Sequence, residues 1–459
     1  MAYWGRKVKY QIKPGEPFTI GGGENTYLPP LNINKEEYSY SRNMTSRLYP
    51  SASVRPGCLK YATPISTPLA LGQRNNEYIH AFSDGIWKRW DGANWSGVKT
   101  GLANVPGKFI EFNTEAARQT VLFSMQDSPH AWDGTSVVQL AGAPCTNLVT
   151  VDDYRVYALD GTNLKCSAMG SITDWTTADD ADTIALTSAK GAGTALTAYN
   201  DTVIAWTEHS MHILYGNDPY DFYLNDPLDD GCISDKSVIE HNGKLYFLDY
   251  GAYKVYTGGR PQDISQPVKK YLDGINPSKK RLCAAGKQGK YIYLSIPYGS
   301  STTNSLTLEY DAELGKWYPH SKGYVEFVNI GENLYGIDAI GQIYKLNTGT
   351  NDAGAAISWE LVTGARNHGA VSQKKAISDF WIVADLPVNS TMTIYYSTTI
   401  DGDDFKALCT FTGTGTEQNT RVQVPTSVMQ NIDWYRLKIA GKGSCVIHYL
   451  EESFRIKAR

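Results

Sequence analysis

Short runs of acidic and histidine residues are the parts of this sequence that could hold a cation. The runs are His209 and His212; Asp179, Asp180 and Asp182; Asp226, Asp229 and Asp230; and Asp401, Asp403 and Asp404. The two histidines lie in a predicted strand-turn-strand, where their spacing does not reliably place both rings on one side. The last run resembles a fragment of a calcium loop, but it lacks the later Glu and the twelve-residue length. We therefore predict turns and no metal site.

Arginines could bind the carboxylate of a sugar substrate, as glycan-cleaving propeller enzymes require together with a Tyr and acidic partners. The candidates Arg89, Arg155, Arg260 and Arg281 are sparse and follow no pattern. No phosphate-binding loop, Gly-x-Ser-x-Gly elbow or His-Glu-x-x-His motif occurs. The sequence therefore predicts no catalytic residue and no cofactor site, and the chain is predicted not to be an enzyme.

Tryptophans could instead form platforms on which sugar rings stack. They are Trp87, Trp90, Trp95, Trp132, Trp206 and Trp317. Most of them recur at equivalent positions of similar hairpins, which is what packing between repeated sheets requires. Core packing is the favoured interpretation.

Those hairpins form a repeat with seven copies. They begin near Glu77, Arg118, Asp153, Asn200, Asn242, Gln288 and Gly331. Each copy has an alternating apolar strand, a turn and a second strand, and Asp-Gly or Asn-Gly pairs supply several turns. The copies start roughly 35 to 47 residues apart, which is the length of one four-stranded propeller blade. The repeat predicts an all-β chain with a β-propeller of six or seven blades at residues 58–350.

Two regions flank the repeat. Residues 1–57 are rich in Gly, Pro, Asn and Ser, which predicts an extended N-terminal docking arm that lies on its own propeller, a neighbouring subunit or a different protein. A linker is predicted at about 347–359. Residues 355–459 then contain six alternating strands, which predicts a C-terminal antiparallel β-sandwich.

Composition narrows the function further. The formal net charge of −4 argues against a protein that wraps nucleic acid. The seven cysteines are scattered and odd in number, which favours free thiols in a protein made in a reducing cytoplasm. Neither a secretory signal nor a membrane-spanning stretch is apparent.

The order of these parts resembles a known family. The arm contains SRLYPSASVRPG, with Ser46, Arg47, Tyr49, Pro50, Arg55, Pro56 and Gly57. It is followed by YNDTVIAWTEHSMHILYG, GCISDKSVIEHNGKLYFLDYGAYKVYTGG, ISQPVKKYLDGI and LEYDAELGKWYPH, and then by TIYYSTTIDGDDF in the sandwich. This arrangement resembles the tail hub, or nozzle, proteins of short-tailed bacteriophages, also called packaged-DNA stabilisation or head-closure proteins, and related structural proteins of tailed phages.

The resemblance implies a homo-oligomeric ring, with six subunits expected, below the portal and adaptor of a virion. Such a ring continues and closes the DNA channel and provides attachment for fibres, spikes or a needle. DNA would pass without sequence-specific binding, and assembly would take place in the host cytoplasm without membrane insertion. The alternatives are a carbohydrate- or receptor-binding propeller at the tail tip, a glycan-cleaving, sialidase-like enzyme, and a cellular scaffold of the WD-repeat type. Irregular spacing and the missing Gly-His start count against the last of these.

Overall fold

The computed structural model describes residues 13–152, 154–369, 371–415 and 420–456, and within these ranges the chain is almost entirely β-structure. Short strands form the N-terminal region. They are β1 (Lys13–Pro14), β2 (Tyr38–Arg42), β3 (Met44–Thr45) and β4 (Ala52–Val54), followed by β5 (Leu59–Lys60).

Twenty-seven strands then form the repeat region. The first twelve are β6 (Pro68–Arg74), β7 (Tyr78–Ser83), β8 (Ile86–Trp90), β9 (Trp95–Lys99), β10 (Gly107–Asn113), β11 (Arg118–Ser124), β12 (His130–Trp132), β13 (Val137–Gln139), β14 (Val149–Asp152), β15 (Arg155–Asp160), β16 (Asn163–Cys166) and β17 (Asp182–Ala185). The next eight are β18 (Gly193–Ala198), β19 (Val203–Thr207), β20 (Met211–Tyr215), β21 (Tyr223–Leu224), β22 (Ile239–His241), β23 (Lys244–Asp249), β24 (Ala252–Tyr256) and β25 (Gln262–Asp263). The last seven are β26 (Ala284–Gln288), β27 (Tyr291–Ile296), β28 (Leu306–Asp311), β29 (Lys316–His320), β30 (Glu326–Ile330), β31 (Asn333–Ile337) and β32 (Ile343–Lys345).

Helical structure is confined to short segments in the described residues. They are the 3-10 turns Asp235–Ser237, Gln266–Val268 and Pro277–Leu282 and the α-helix α1 (Lys269–Asp273). The C-terminal strands are β33 (Asn351–Asp352), β34 (Ala355–Ala356), β35 (Ser358–Thr363), β36 (Lys375–Asp385), β37 (Thr391–Ser397), β38 (Lys406–Thr412), β39 (Thr420–Gln423), β40 (Arg436–Lys442) and β41 (Val446–Ile456).

The repeat strands form seven four-stranded antiparallel sheets within the described chain. Six of them take four consecutive strands each, from β6-β7-β8-β9 to β26-β27-β28-β29, and the seventh has the order β30-β31-β32-β5. The second and third strands of each sheet coincide with one of the seven predicted hairpins. The second strands are buried along most of their length, as in YIHAFS of β7 and YIYLSI of β27, because both faces of a blade pack against neighbouring blades. The predicted all-β propeller fold is therefore confirmed.

Closure of the propeller settles the number of blades at seven. Successive first strands contact one another from β6 through β10 and β14 to β18, and from β22 through β26 and β30 back to β6. The 3-10 turn Asp235–Ser237 contacts both β18 and β26. The last blade receives its outer strand from the start of the chain, since Lys60 pairs with Tyr344 and Leu59 with Lys345. This exchange joins the two ends of the repeat and closes the ring of blades.

The described C-terminal strands build two sheets that also include the N-terminal strands. One sheet has the order β2-β35-β40-β37-β38, and the other has β3-β4-β41-β36-β39 with β1 added to β41. All six predicted sandwich strands are present as β36 to β41. The predicted linker differs, because it holds the hairpin β33–β34 and leads directly into β35. Alternate residues such as Met392 and Ile394 point into one apolar core that also contains Tyr38 and Met44.

The structure groups the chain differently from the three consecutive ranges that the sequence predicts. One compact unit contains the described residues up to Cys58, Glu309–Ser321 and the described residues from Asn347 onward. The other contains Leu59–Leu308 and Lys322–Leu346. The physical reason lies in the pairing of β1, β2 and β4 with strands β35 and β41, which builds the described part of the predicted docking arm into the sandwich. Residues 1–12 of the predicted arm lie outside the described residues.

Candidate functional site

The axis of the propeller is occupied by charged side chains that bridge non-adjacent blades. The 3-10 turn Asp235–Ser237 precedes the three-residue strand β22 and brings two charges to the axis. Lys108 Nζ from β10 lies 2.7 Å from Asp235 Oδ2, and the Leu196 amide of β18 donates to Asp235 Oδ1 at 3.0 Å. These bonds join the second, fourth and fifth blades.

A second ion pair completes the bridge. Lys236 Nζ lies 2.6 Å from Glu326 Oε2 of β30, which also accepts a hydrogen bond from the Leu71 amide of β6 at 3.1 Å. Burial raises the pKa of Glu326, and the positive charges of Lys236 and Lys108 act in the opposite direction. The axial cluster of Lys108, Asp235, Lys236 and Glu326 therefore joins blades across the centre of the ring. We call this set the hub ion pairs.

A cavity of about 420 Å³ opens among the first strands of the blades. It is lined by Leu71, Gly72, Gln73, Asn76, Phe109, Ile110, Glu111, Ile239, Ala285, Gly286, Phe327, Val328 and Asn329. Glu111 is the single ionisable side chain in that lining, and it accepts hydrogen bonds from Gln73 Nε2 at 2.7 Å and from the Asn75 amide at 2.9 Å. General acid–base chemistry by a pair of groups needs a second titratable side chain, which these residues do not supply.

Two glycines in this lining allow aromatic rings of the next blade to approach the backbone. A Cβ on Gly72 would lie 2.4 Å from Phe109 Cβ, and a Cβ on Gly286 would lie 2.7 Å from Phe327 Cγ. The same contact therefore recurs between the first and second blades and between the sixth and seventh blades. Its role is packing of adjacent blades around the ring.

A second, smaller cavity of about 90 Å³ lies at the third and fourth blades. It is lined by Asp152, Tyr154, Arg155, Tyr157, Met169 and Asn217. Arg155 is only 2% exposed, and its Nη1 lies 2.8 Å from Asp180 Oδ1 and donates to the Ser167 carbonyl at 3.0 Å. Its Nε donates to the Asn217 carbonyl and its Nη2 lies 3.5 Å from Asp218 Oδ2. Arg155 thus ties a loop of the third blade to a loop of the fourth.

The other predicted candidates are dispersed over the propeller. Arg89 lies over the rings of Tyr78 and Trp132 in the first two blades, and Arg281 forms an ion pair with Glu208 at 3.1 Å. Arg260 is exposed in the turn that follows β24. The four arginines that could bind a substrate carboxylate therefore lie at separate places in the propeller.

The two histidines of the predicted turn have different surroundings. His212 is buried and its Nε2 shares a hydrogen bond with Ser210 Oγ at 2.9 Å, whereas His209 is exposed and packs 4.6 Å from the ring of Tyr250. Burial lowers the pKa of His212. The two rings therefore occupy separate environments.

The acidic runs lie in connections between strands, except that Asp182 is the first residue of β17, and several of their carboxylates are engaged. Asp230 pairs with Lys254 at 2.7 Å, Asp229 pairs with Lys190, and Asp226 is exposed. Asp404 accepts hydrogen bonds from Ser397 and Thr399 at 2.5 Å, in the connection between β37 and β38. In the part of the chain that the structure describes, no group of three or more His, Cys, Asp and Glu side chains could hold a metal ion.

Tryptophan burial supports packing over sugar stacking for five of the six candidates. Trp87 and Trp206 are 0% exposed, and Trp317, Trp90 and Trp132 are at most 7% exposed. Trp95 is half-buried and packs against Trp90. Trp87 Nε1 donates to His80 Nδ1 at 2.8 Å, which explains how the indole N–H is satisfied between the first two blades.

The arm residues Ser46 to Gly57, which carry the family resemblance, lie in the unit that contains the sandwich. Ser46 Oγ donates to Asp311 Oδ2 at 2.5 Å, and the neighbouring Thr45 hydroxyl donates to Glu309. Arg55 makes a bidentate contact with Asp352, with distances of 2.9 and 2.6 Å. This polar set fixes the arm within its own unit.

All seven cysteines are free thiols, and five of them are buried. None of the described helices is long and apolar enough to cross a membrane. The hub ion pairs were not anticipated from the sequence. The available signal is the presence of charged residues in first strands that are otherwise largely apolar: Lys108 and Glu111 in GKFIEFN, and Glu326 in EFVNI.

Comparison with known proteins yields similar folds only. No family model matches this sequence, and no curated protein does. The chain is similar to the solved structure of a computationally designed protein, Ika8, with 11% identity and a TM-score of 0.38 over 63% of this chain and 98% of that chain. It is also similar to a streptogramin B lyase (10%, TM-score 0.45, 63% and 95%) and to a chain of a mitotic checkpoint complex (9%, TM-score 0.45, 64% and 95%).

Proposed function

We propose that this chain is a structural virion protein of a tailed bacteriophage. It forms a homo-oligomeric ring, with six subunits expected, as a tail hub or nozzle below the portal and adaptor. The ring continues and closes the DNA channel and provides attachment for fibres, spikes or a needle. The observation that carries this proposal is the incorporation of the arm into the sandwich, where β2 pairs with β35 and β4 with β41. Such a unit suits a connector that must withstand load.

The hub ion pairs are consistent with a propeller that serves as a wall. A double helix cannot thread a ring whose centre is bridged by Lys108, Asp235, Lys236 and Glu326. In this proposal the DNA channel therefore lies between subunits, at the centre of the oligomer. A net charge of −4 suits DNA that slides past without sticking.

The partners follow from that role. The protein contacts further copies of itself, portal or adaptor proteins, and fibre or spike proteins, and it meets genomic DNA without reading its sequence. It is assembled in the host cytoplasm, which agrees with its seven free thiols. Its location is then the tail of the virion.

The mass of the purified full-length protein tests this proposal. We expect a discrete ring of about six times 50.7 kDa in sedimentation equilibrium, with a closed ring visible by electron microscopy. A monomer at every concentration would overturn the proposal. Truncation of the whole arm is a poor control, because it removes β1 to β4 from the sandwich.

A receptor-binding propeller is the second candidate. Tyr154, which lines the 90 Å³ cavity, is 64% exposed, and Tyr220 is 79% exposed, so both rings could stack on sugars. Binding of the full-length protein to a glycan array, lost in a Tyr154→Ala variant, would support this role. The absence of enzymatic activity stays a prediction, which turnover of a sialoside or polysaccharide would contradict.

A further inference from the structure

An acidic, tyrosine-rich surface covers one end of the third and fourth blades. Tyr154, Met169 and Tyr220 are 64%, 54% and 79% exposed, and the Tyr220 hydroxyl is hydrogen-bonded to Asp179. The carboxylates at this surface include Asp152, Asp179, Asp180, Asp182 and Asp218, and the buried Arg155 lies among them. We call this set the acidic face.

The chemistry of the acidic face favours a basic partner. Its cavity of about 90 Å³ is lined by Tyr154, Tyr157 and Met169, with the Asp152 side chain at the same wall. Lysine and arginine side chains bury an apolar stem against such surfaces and keep the charge beside carboxylates or aromatic rings. An anionic ligand would meet an excess of negative charge here.

A basic surface lies in the connection between the fifth and sixth blades, at residues 264–283. This connection contains α1 and two 3-10 turns, and it carries Lys269, Lys270, Lys279, Lys280 and Arg281 against a single carboxylate, Asp273. Lys269 pairs with Asp273 at 2.9 Å, and Arg281 pairs with Glu208 at 3.1 Å. The side chains of Lys270 and Lys279 form no hydrogen bond or ion pair with any residue that the structure describes. We call this segment the basic insertion.

The two surfaces lie at opposite ends of the same propeller. In an antiparallel four-stranded blade, the connections from first to second strand and from third to fourth strand share one end, and the remaining connections share the other. The acidic face is built from the turns β14–β15, β16–β17 and β20–β21, which belong to the first end. The basic insertion joins β25 to β26 and belongs to the second end. The opposite charges therefore cannot neutralise each other within one copy.

We propose that the basic insertion of one copy binds the acidic face of the next copy, with Lys270 or Lys279 placed among Tyr154, Asp152 and Asp179. This inference rests on the proposed homo-oligomeric ring and specifies its subunit contact. Two different surfaces meeting head to tail form a heterologous contact, which produces a ring when its rotation closes. Charge complementarity of this kind also guides the correct register during association.

Two charge-reversed variants of the full-length protein test the contact. Lys270→Glu/Lys279→Glu gives the insertion an acidic character, and Asp179→Lys/Asp182→Lys gives the acidic face a basic character. Each variant alone places like charges at the contact, and we expect its mass to fall from the ring to the monomer in sedimentation at 50 mM salt. An equimolar mixture restores opposite charges at every contact, so the ring mass should return. Lys406→Glu/Lys442→Glu is the matched control, since both lysines are exposed in the sandwich, and it should keep the ring.

Each other outcome overturns the contact and has its own meaning. A wild-type monomer at all concentrations removes the proposed ring together with this contact. Ring mass in the wild type and in both variants keeps the proposed function and places the interface elsewhere. If the two variants stay monomeric in the mixture, the loss of the ring in each variant alone did not arise from like charges at this contact. If Lys270→Glu/Lys279→Glu leaves the mass unchanged but abolishes binding to a duplex DNA fragment, the insertion serves a polyanion instead.

Discussion

The propeller and the arm-containing sandwich differ in how far apart their paired strands lie in the sequence. Almost every described propeller strand pairs with the next strand along the chain, and the pair β5–β32 is the exception that closes the ring. In the sandwich, β2 at residues 38–42 pairs with β35 at residues 358–363, and β4 pairs with β41. The difference shows that one chain combines two kinds of fold. The propeller depends mainly on contacts between residues close in sequence, whereas the sandwich cannot form until its C-terminal strands pair with the N-terminal ones.

The two regions also bury charge in different ways. The hub ion pairs join blades that are not neighbours, whereas the sandwich holds Glu452 within one unit, where Arg366 Nη2 lies 3.0 Å from Glu452 Oε1 and the Tyr435 hydroxyl donates to Oε2. Burial raises the pKa of Tyr435 well above its usual value. In the propeller, the charged side chains thus connect separate blades. In the sandwich, Glu452 makes its contacts within a single unit, beside the apolar core.

Removal of residues 1–57 should have the largest effect and should separate the two regions. The deletion takes away Phe18, Ile20, Tyr38, Met44 and Ala52 from the sandwich core, which at roughly 1.5–3 kcal/mol for each of the four larger side chains amounts to on the order of 10 kcal/mol. We expect the sandwich to lose its cooperative thermal transition while the propeller keeps its own. Differential scanning calorimetry with limited proteolysis measures both.

Deletion of residues 1–12 alone is the control for this experiment, because it spares β1 to β4. It should leave both thermal transitions in place. Strand pairing indicates that only the sandwich depends on residues 1–57. Loss of both transitions in the longer deletion, or of neither, would contradict this.

Strand pairing also explains what the sequence could predict. The seven hairpins were predictable because alternation and turn pairs such as Asp84-Gly85 act over a few residues, and Asp84 and Gly85 both have positive φ. The six sandwich strands were predictable for the same reason. The role of the described arm was not, because β1, β3 and β4 are only two or three residues long, and β41, which pairs with β1 and β4, lies hundreds of residues away. A pattern so short carries no periodicity.

The candidate sites follow the same division. The burial of Trp87 and Trp206 could be predicted, since equivalent positions of repeated hairpins face neighbouring blades. The hub ion pairs and the acidic face depend on which blades the ring brings together, and that information is absent from any single repeat. A lone charge in a mostly apolar first strand, as at Glu326 in EFVNI, is the local signal for such a contact at the axis.

Breaking the hub ion pairs should have the next largest effect. Glu326→Leu leaves Lys236 at the axis without its partner. The two side chains are 23% and 15% exposed, so we expect a cost of about 2–4 kcal/mol, between that of an exposed pair and that of a fully buried one. The double variant Lys236→Met/Glu326→Leu should recover most of that loss, because it leaves no unpaired charge. Urea denaturation of the single and double variants measures the coupling.

The exposed pair Lys269–Asp273 is the matched control for the hub ion pairs. Asp273→Asn should cost only about 0.3–0.5 kcal/mol, as expected for an exposed ion pair four residues apart. Equal losses in Glu326→Leu and Asp273→Asn would mean that the hub ion pairs contribute no more than a surface contact.

Substitution of Gly72 tests packing between blades, with a smaller expected effect. Its Cβ would lie 2.4 Å from Phe109, so Gly72→Ala should destabilise the propeller by about 1–3 kcal/mol through overpacking. Gly97→Ala is the control, because no heavy atom lies within 4 Å of its added Cβ. Thermal shifts of the propeller transition compare the two, and a larger loss for Gly97→Ala would contradict the assignment of blade contacts.

Lowering the pH from 6.5 to 5.5 should have the smallest effect on the stability of the propeller. Part of that loss can be assigned to His80. Burial, with the nearby charges of Arg74 and Arg89, lowers the pKa of His80 to about 3. The unfolded chain has a histidine pKa of about 6.5, so between these values it binds more protons than the folded chain, and stability falls as the pH drops. Lowering the pH from 6.5 to 5.5 should cost about 1 kcal/mol through this residue.

His80→Asn separates this contribution from that of the other buried histidines. An asparagine oxygen can still accept the hydrogen bond that Trp87 Nε1 donates to His80 Nδ1, but it does not titrate. We therefore expect urea unfolding of the propeller in His80→Asn to depend less on pH between 6.5 and 5.5. The unit that contains the sandwich has its own histidines with a lowered pKa, His320 and His368, so its transition should keep the wild-type pH dependence in this variant. The pH dependence of propeller stability could instead be the same in His80→Asn and in the wild type. That result would show that the folded propeller accommodates a protonated His80 between the first two blades.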